Sequence, residues 1–385
     1  MNTVIYLDNA ATTFPKPQKV LSEVMRCMKV YCGNPGRGGH RMSLMASEKV
    51  YECRTLVSGL YHSSVPENVI FTQNTTSALN TAIKAFAGRG DHIVISSLEH
   101  NSSFRPVVTL SRRGCRYSIF DASTSDPDVI IRNIRSVITP STRLIVTTHL
   151  SNICGIRMPV EAIGRFCRER GINYIVDAAQ SAGSLDIDIN RAGIDAICAP
   201  GHKGLYGPQG SGFILFSDKY SEERRSAMLS TFMEGGNGVN SYEDHMPDFL
   251  PERFEAGTLS TPAIAGLAEG IKVVNKIGIN EIADHANRLR RRLTEMLLNT
   301  NGFTVYMPYE DCGGTVLFNI DGKNPADVAS ALNNAGICVR SGYHCCPLGH
   351  ETLMTGEEGA IRVSFSIFNT SSEIEQLYKN VRAFV

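Results

Sequence analysis

Residues 144–150, LIVTTHL, and residues 174–179, YIVDAA, decide how this chain is read. Both are short and almost unbrokenly apolar. A strand with one wet face alternates apolar and polar residues; one covered on both faces does not. Each run therefore predicts a parallel strand packed between helices. Working outward, further β-rich runs stand at 68–72, 92–98, 116–120, 195–199 and 212–216, and the two quoted runs extend to 143–149 and 173–177. Helical spacing fills the intervals at 77–86, 126–137 and 160–170. The alternation predicts an α/β fold: a large domain over residues 18–255 with a mainly parallel, doubly wound sheet covered by helices.

The tail has a different rhythm. Helical patterns at 262–276 and 279–299 precede FTVYM (303–307), GTVLFNI (314–320), a helix at 325–335, ICVRSG (337–342), IRVSFSIFN (361–369) and an amphipathic helix at 372–384. This predicts a smaller α+β domain from residues 256–385 together with residues 1–17. A Gly-, Asn- and Pro-rich stretch at 234–252 separates the two parts.

Composition narrows the function classes. The 385 residues carry 38 Lys+Arg and 38 Asp+Glu, for a formal net charge of zero. That balance argues against a nucleic-acid partner held by bulk positive charge. No run of 18 apolar residues occurs and the first residues lack a secretory pattern, so no membrane association is expected. Eleven cysteines, an odd number with no CxxC, predict reduced thiols in a cytoplasmic protein rather than a disulfide scaffold.

Ligands of open α/β sheets gather at the carboxyl ends of the strands. There the sequence places His100, Asn152, Asp177, Gln180, His202 and Lys203. Lys203, in Gly-His-Lys-Gly after a short strand, can form a Schiff base with an aldehyde cofactor. Asp177 can pair with a protonated pyridine nitrogen, and His100 can lie on a ring or move a proton. Thr75 and Thr76, between a strand and a helix, suit a phosphate at a helix N-terminus. The alternatives are bland: a solvated lysine, an aspartate or threonine N-cap, a structural histidine. The Gly-rich pieces around 36–39 and 207–212 form neither a dinucleotide nor a P-loop motif.

YLDNAATT, TTSALN, LEHNSS, VDAAQS, GHKGLYGPQG, FEAGT and RSGYHC, taken in order, resemble the class V, fold-type I pyridoxal-phosphate enzymes. Within them the chain is most similar to the cysteine desulfurase/selenocysteine lyase group, over residues 6 to about 370. The resemblance implies pyridoxal 5'-phosphate on Lys203, Asp177 at the pyridine nitrogen, Gln180 at the phenolic oxygen and His100 on the ring. It implies Thr75, Thr76 and His202 at the phosphate, with Thr258 reaching the phosphate of the other subunit of a homodimer with shared active sites. Arg362, aided by Asn152, is implied to clamp the substrate carboxylate. Arg37 and His40 are implied to line the partner's site, and Cys345 to accept sulfur from L-cysteine; the alternative within the group is a selenocysteine lyase, with selenocysteine as substrate. The implied activity converts L-cysteine to L-alanine with the sulfur held as a persulfide for a sulfur-acceptor protein in cofactor assembly. Another class V activity, an aminotransferase or epimerase, would not need Cys345.

Two departures stand out. Pro200 replaces a serine that would offer a phosphate hydroxyl, and His344-Cys345-Cys346 replaces His-Cys-Ala, with one residue fewer before Pro347-Leu348. Counting from Arg340 makes Cys345 the reactive thiol; counting back from Pro347 makes it Cys346. A zinc site from His344, Cys345, Cys346 and His350 has suitable ligand types, but adjacent cysteines close a tetrahedron poorly.

Overall fold

A computed structural model describes residues 4–36 and 38–385. The chain begins with β1 (Ile5–Tyr6), followed by α1 (Gln18–Arg26) and α2 (Arg41–Leu60). It then enters a seven-stranded sheet through β2 (Val69–Thr72), α3 (Thr75–Phe86), β3 (His92–Ser96), α4 (Asn101–Ser111), β4 (Arg116–Phe120), α5 (Pro127–Val137), β5 (Thr142–Thr148), α6 (Val160–Arg170), β6 (Asn173–Asp177), β7 (Ala196–Pro200) and β8 (Gly212–Phe216). The strand order is β2-β8-β7-β6-β5-β3-β4.

The unbroken apolar runs are explained by two cores on opposite faces of this sheet. Ile145, Val176 and Ile197 point into one, whereas Leu144, Val146, Ile175, Ala196 and Cys198 point into the other. Successive side chains take opposite faces of a strand, so both sets must be apolar. Strands β3 to β7 run parallel, as expected. β8 does not: it is antiparallel to both β7 and β2. Residues 201–211, which join β7 to β8, contain no helix, and a parallel return needs a crossover of a dozen or more residues.

After β8 come α7 (Glu223–Ser226), α8 (Thr261–Ile277) and α9 (Ile279–Leu298), then β9 (Phe303–Tyr306), β10 (Thr315–Ile320), α10 (Pro325–Asn334), β11 (Ile337–Cys338), β12 (Arg340–Gly342), α11 (Pro347–Thr352), β13 (Ala360–Ser364) and α12 (Ser371–Arg382). A four-stranded antiparallel sheet has the order β12-β13-β10-β9, with its own core of Val316, Phe318, Ile361, Val363 and the inner faces of α9 and α12. The run 337–342 is not one strand. Ile337 and Cys338 pair with β1, whereas Arg340 to Gly342 pair with β13. The chain changes partner at Val339. The apolar run 361–369 likewise stops being strand at Ser364, where Asn369 folds back to accept from the Ser366 N–H at 2.9 Å. Helices α1, α2 and α4 carried no clear sequence signal. The inner face of α2 explains this for its own case: it includes Ser43, Arg54 and Ser58 as well as apolar residues. Among the described residues, no helix is long and apolar enough to cross a membrane.

Candidate active site

The carboxyl ends of five strands build one constellation. β6 ends in Asp177, which is buried and accepts the Ala179 N–H at 2.9 Å through one carboxylate oxygen. β7 leads to His202 and Lys203, β5 to Asn152, and β3 to His100, which caps α4. β2 leads to the first turn of α3, with Thr75 and Thr76.

The electrostatics follow from burial. Loss of water pulls the Lys203 amine down to about 8, helped by the Arg362 and Arg340 cations and opposed by Asp177 and Asp8. Burial pushes the Asp177 carboxyl up to about 6, against the Ala179 N–H and the Lys203 charge. No ion pair joins Asp177 and Lys203 directly among the described residues. Each group therefore holds a charge state that favours a partner placed between them. Burial also lowers His202 and His100 to about 4, so both imidazoles are neutral. His100 Nδ1 accepts the Ser102 N–H at 3.0 Å, which puts its ring proton on Nε2. Ser102 Oγ in turn meets Thr76 Oγ1 at 2.7 Å. His202 Nδ1 lies 3.1 Å from Thr12 Oγ1, and the His202 carbonyl accepts from Lys16 Nζ at 2.6 Å. Lys16 itself is lowered to about 8 by burial.

The donor set fits a cofactor with an aldehyde, a ring cation and an anionic group. A deprotonable buried amine suits the first and the Asp177 carboxylate the second. For the third, Thr75 Oγ1 is buried without a partner among the described residues at the N-terminus of α3, whose first N–H groups are those a helix leaves unsatisfied. Gln180 donates its amide to the Ala10 carbonyl at 3.0 Å and lines a cavity with Lys203, Asn9, Thr13 and Ser364.

The second half of the site comes from the smaller sheet. Arg362 on β13 is almost fully buried; its Nη1 donates to the Asn152 carbonyl at 2.9 Å and its Nη2 to Asp8 Oδ1 at 2.6 Å, while Nε has no partner among the described residues. The Asn152 amide turns away, to the His344 carbonyl at 2.9 Å. Cys345 is exposed, and Arg340 Nη2 stands 3.9 Å from its sulfur. Cys346 is fully buried, its thiol donates to the Leu98 carbonyl at 3.4 Å, and burial pushes it well above the ordinary thiol range.

Thr258 lies outside this cluster. It is exposed, lines a groove with Thr72, Gln73 and Ser77, and accepts from Asn34 Nδ2 at 3.4 Å. His40 caps α2 by accepting the Ser43 N–H at 3.3 Å. Arg37 is outside the described residues. No group of three or more metal-ligating side chains is found among the described residues. Sequence reasoning gave no role to Asp8, Ser102, Lys16 or Glu99, although YLDN and LEHNS contain three of them. Their importance lies in contacts with residues far along the chain.

Glu99 is the least ordinary of these. It is fully buried; Oε1 accepts from Ser96 Oγ at 2.5 Å and the Thr148 N–H at 2.7 Å, and Oε2 has no hydrogen-bond partner within reach among the described residues. Burial, with the Asp177 charge nearby, raises its carboxyl to about 8. A raised carboxyl binds its proton more tightly folded than unfolded. Its contribution to stability is full below the ordinary value of 4.5 and is lost as pH rises towards about 8, at up to about 1.4 kcal/mol per pH unit. Glu99→Gln is neutral throughout, so this decline should be absent from the variant and appear as a growing difference between variant and parent as pH rises. Urea unfolding of both between pH 5 and 8 measures it, and parallel curves would mean that Glu99 folds ionised.

The sequence pattern of the class-V aminotransferases matches residues 5–377. The chain belongs to the aminotransferase class-V family. Two class-V relatives are named probable cysteine desulfurase. That of Methanothermobacter thermautotrophicus is 36% identical over 97% of this chain and 92% of its own length. That of Pyrococcus abyssi is 32% identical over 97% and 92%. Among solved structures, an apo cysteine desulfurase from Thermococcus onnurineus superposes with a TM-score of 0.88 at 31% identity, covering 99% of this chain and 94% of that one. The Escherichia coli cysteine desulfurase CsdA, at 23% identity and a TM-score of 0.86, shares the fold.

Proposed function

We infer that this class-V enzyme is a pyridoxal-phosphate-dependent cysteine desulfurase. The observation that carries the reading is the exposed Cys345 on a loop clasped to the strand-end site, its carbonyl accepting the Asn101 N–H at 2.8 Å one residue after His100. The relatives' names agree with it. Lys203 would carry the cofactor, with Asp177, Gln180, His100, Thr75, Thr76 and His202 around it. When bound, pyridoxal phosphate supplies an electron sink that makes the substrate Cα–H acidic.

The chain's own residues supply the rest. Lys203, with an amine lowered to about 8, takes the Cα proton near neutral pH. The Cys345 sulfur attacks the substrate sulfur, forming an S–S bond as the substrate C–S bond breaks. The electron pair of the broken bond goes to the substrate Cβ, which takes up the proton given up by the Cys345 thiol, and Lys203 returns the Cα proton, giving L-alanine and a Cys345 persulfide. The neutral His100, protonated at Nε2, is suited to move a proton at this stage. Product analysis tests the reading: L-cysteine should yield alanine and protein-bound sulfane sulfur in equal amounts. Pyruvate, or transfer of the amino group, would mean a different class-V reaction.

Arg362, with Asn152, would bind the substrate carboxylate in exchange for part of its contact with Asp8. A charged fork of this kind contributes about 1.5–3 kcal/mol, roughly 10- to 150-fold in affinity. Arg362→Ala should raise KM for L-cysteine by that factor and leave the visible cofactor band intact. Lost cofactor with unchanged KM would mean the residue serves the cofactor instead.

A homodimer with shared sites follows from the same reading, with Thr258 facing the partner's cofactor. Exposed Leu21, Met25, Met28, Val30, Met42 and Leu44, on α1, the turn after it and the start of α2, suit a second copy. A monomer by sedimentation that turns over at full rate would contradict this. The division into residues 18–255 and a smaller unit of 1–17 and 256–385 remains our domain assignment; limited proteolysis within 234–252 tests it. The persulfide would pass to an acceptor protein for cofactor assembly in the cytoplasm, where a resting thiol stays reduced. Recovery of the protein outside the cytoplasm on fractionation would argue against that setting.

A further inference from the structure

His344 and Cys345 both adopt left-handed backbone, with φ of 50° and 56°. Each such residue without a glycine's freedom costs about 1–3 kcal/mol and persists only where its surroundings hold it. Two successive ones at the reactive loop require strong fixation. The main chain is pinned by Asn152 at the His344 carbonyl, by the Asn101 N–H at the Cys345 carbonyl and by the Cys346 N–H on the Tyr343 carbonyl at 2.9 Å.

The His344 side chain is held differently, by a chain of three contacts. Its Nε2 lies 3.3 Å from the Arg340 carbonyl and its Nδ1 3.1 Å from His350 Nε2. His350 Nδ1 then lies 2.7 Å from Thr355 Oγ1. The two imidazole planes are within 15° of parallel with centroids 5.3 Å apart, so with nitrogens in contact they meet edge to edge rather than face to face. A carbonyl only accepts, so His344 Nε2 carries the proton and Nδ1 is a lone pair. His350 Nε2–H must donate to it, which leaves His350 Nδ1 to accept from the Thr355 hydroxyl. Both tautomers are thus set from the Arg340 carbonyl, and the Thr355 hydroxyl closes the chain as a donor.

We propose that His350 and Thr355 are positioning residues for sulfur transfer: they hold the plane of the His344 ring, and through it the left-handed turn that aims the Cys345 sulfur. The inference rests on Cys345 being the sulfur acceptor. Both rings are buried, and burial, with the Arg362 charge, lowers His344 to about 2 and His350 to about 4, so the relay stays neutral across the working pH range. The charged groups facing it, Arg340 and Arg362, act in the same direction.

Thr355→Val keeps the shape of the side chain and removes the donor. His350 Nδ1 then loses the donor that holds its ring in place, and the loop loses its aim. A misplacement of about 1 Å at a reacting group can cost on the order of a hundredfold in rate. In the cofactor-loaded enzyme, Thr355→Val should lower kcat for alanine at least tenfold, with KM for L-cysteine and the visible band unchanged. Thr355→Ser, which restores the hydroxyl, should recover most of the rate. Parent kcat in Thr355→Val would overturn the proposal, and so would a joint loss of KM, band and thermal midpoint, the mark of a merely structural residue. Should Thr355→Val fail to fold, ¹⁵N-histidine NMR of the parent protein decides. Both rings should report Nε2–H and no titration from pH 5.5 to 8; an Nδ1–H form or titration of either ring would overturn it. A parent enzyme that forms no persulfide at all would sink the functional reading instead, and the imidazole spectrum would still test the relay.

Discussion

Lys203→Ala should give a folded protein with no visible cofactor band, no borohydride-trapped adduct and no alanine formation. The expected loss exceeds the roughly 10²–10⁴-fold contribution of a general base, because the same amine also holds the cofactor. Folding should survive. The Lys203 amine is lowered to about 8 mainly by burial, so removing it relieves a desolvation cost rather than breaking a strong pair. Asp177 loses a nearby cation and its carboxyl, already up at about 6, should rise further. The same shift has a kinetic sign. Only the neutral amine attacks an aldehyde, so cofactor loading of the parent apoprotein should slow as pH falls below about 8, by up to tenfold per unit. Absorbance after mixing with pyridoxal phosphate, together with mass spectrometry of the reduced protein, measures all of this. Normal turnover in the alanine variant would remove the basis of the mechanism.

Cys345→Ser should abolish the persulfide, and Cys346→Ser should retain it. The two counts along the sequence leave both thiols open, and burial separates them. Cys345 is exposed beside Arg340, whereas the Cys346 sulfur is fully buried against the Leu98 carbonyl, with burial holding it as the thiol. The thiolate is the nucleophile, so a sulfur kept protonated in the core is inert. Cys346 packs instead as an anchor: a methyl group added at Gly349 would come within 2.7 Å of its sulfur. Cys346→Ser should therefore cost stability, about 1–3 kcal/mol for a buried hydroxyl poorly paired, while single-turnover persulfide formation stays within a few-fold of the parent. Mass spectrometry of each variant after one turnover with L-cysteine reads the position of the sulfur. Label retained in Cys345→Ser at the parent rate would reverse the assignment.

The legible parts of the fold are those where local pattern and tertiary environment agree. Residues 116–120, 173–177, 212–216 and 160–170 are strands and a helix with the bounds read from the sequence. The three strands end at turn-forming residues, and α6 stops at Gly171, whose φ of 63° suits glycine. The illegible parts are those where the inner face is not apolar. In α2 the buried Arg54 is satisfied by Glu255 and the Val69 carbonyl, partners that no local window contains.

For the site, the sequence by itself determined which side chains stand at the strand ends, because a short unbroken apolar strand followed by a turn puts the next residues at the sheet's carboxyl edge. His100, Asn152, Asp177, His202 and Lys203 are all of this kind. Only the tertiary structure decided what each one touches. Arg362 meets Asp8 across 354 positions, Asn152 meets His344 across 192, and Cys346 meets Leu98 across 248. Charge state and exposure follow from those meetings, since desolvation depends on which elements pack over a group and not on its neighbours along the chain. Two adjacent cysteines with the same chemistry thus become an exposed thiol and a buried anchor, a difference that exists only once the smaller sheet lies against the strand ends of the larger one.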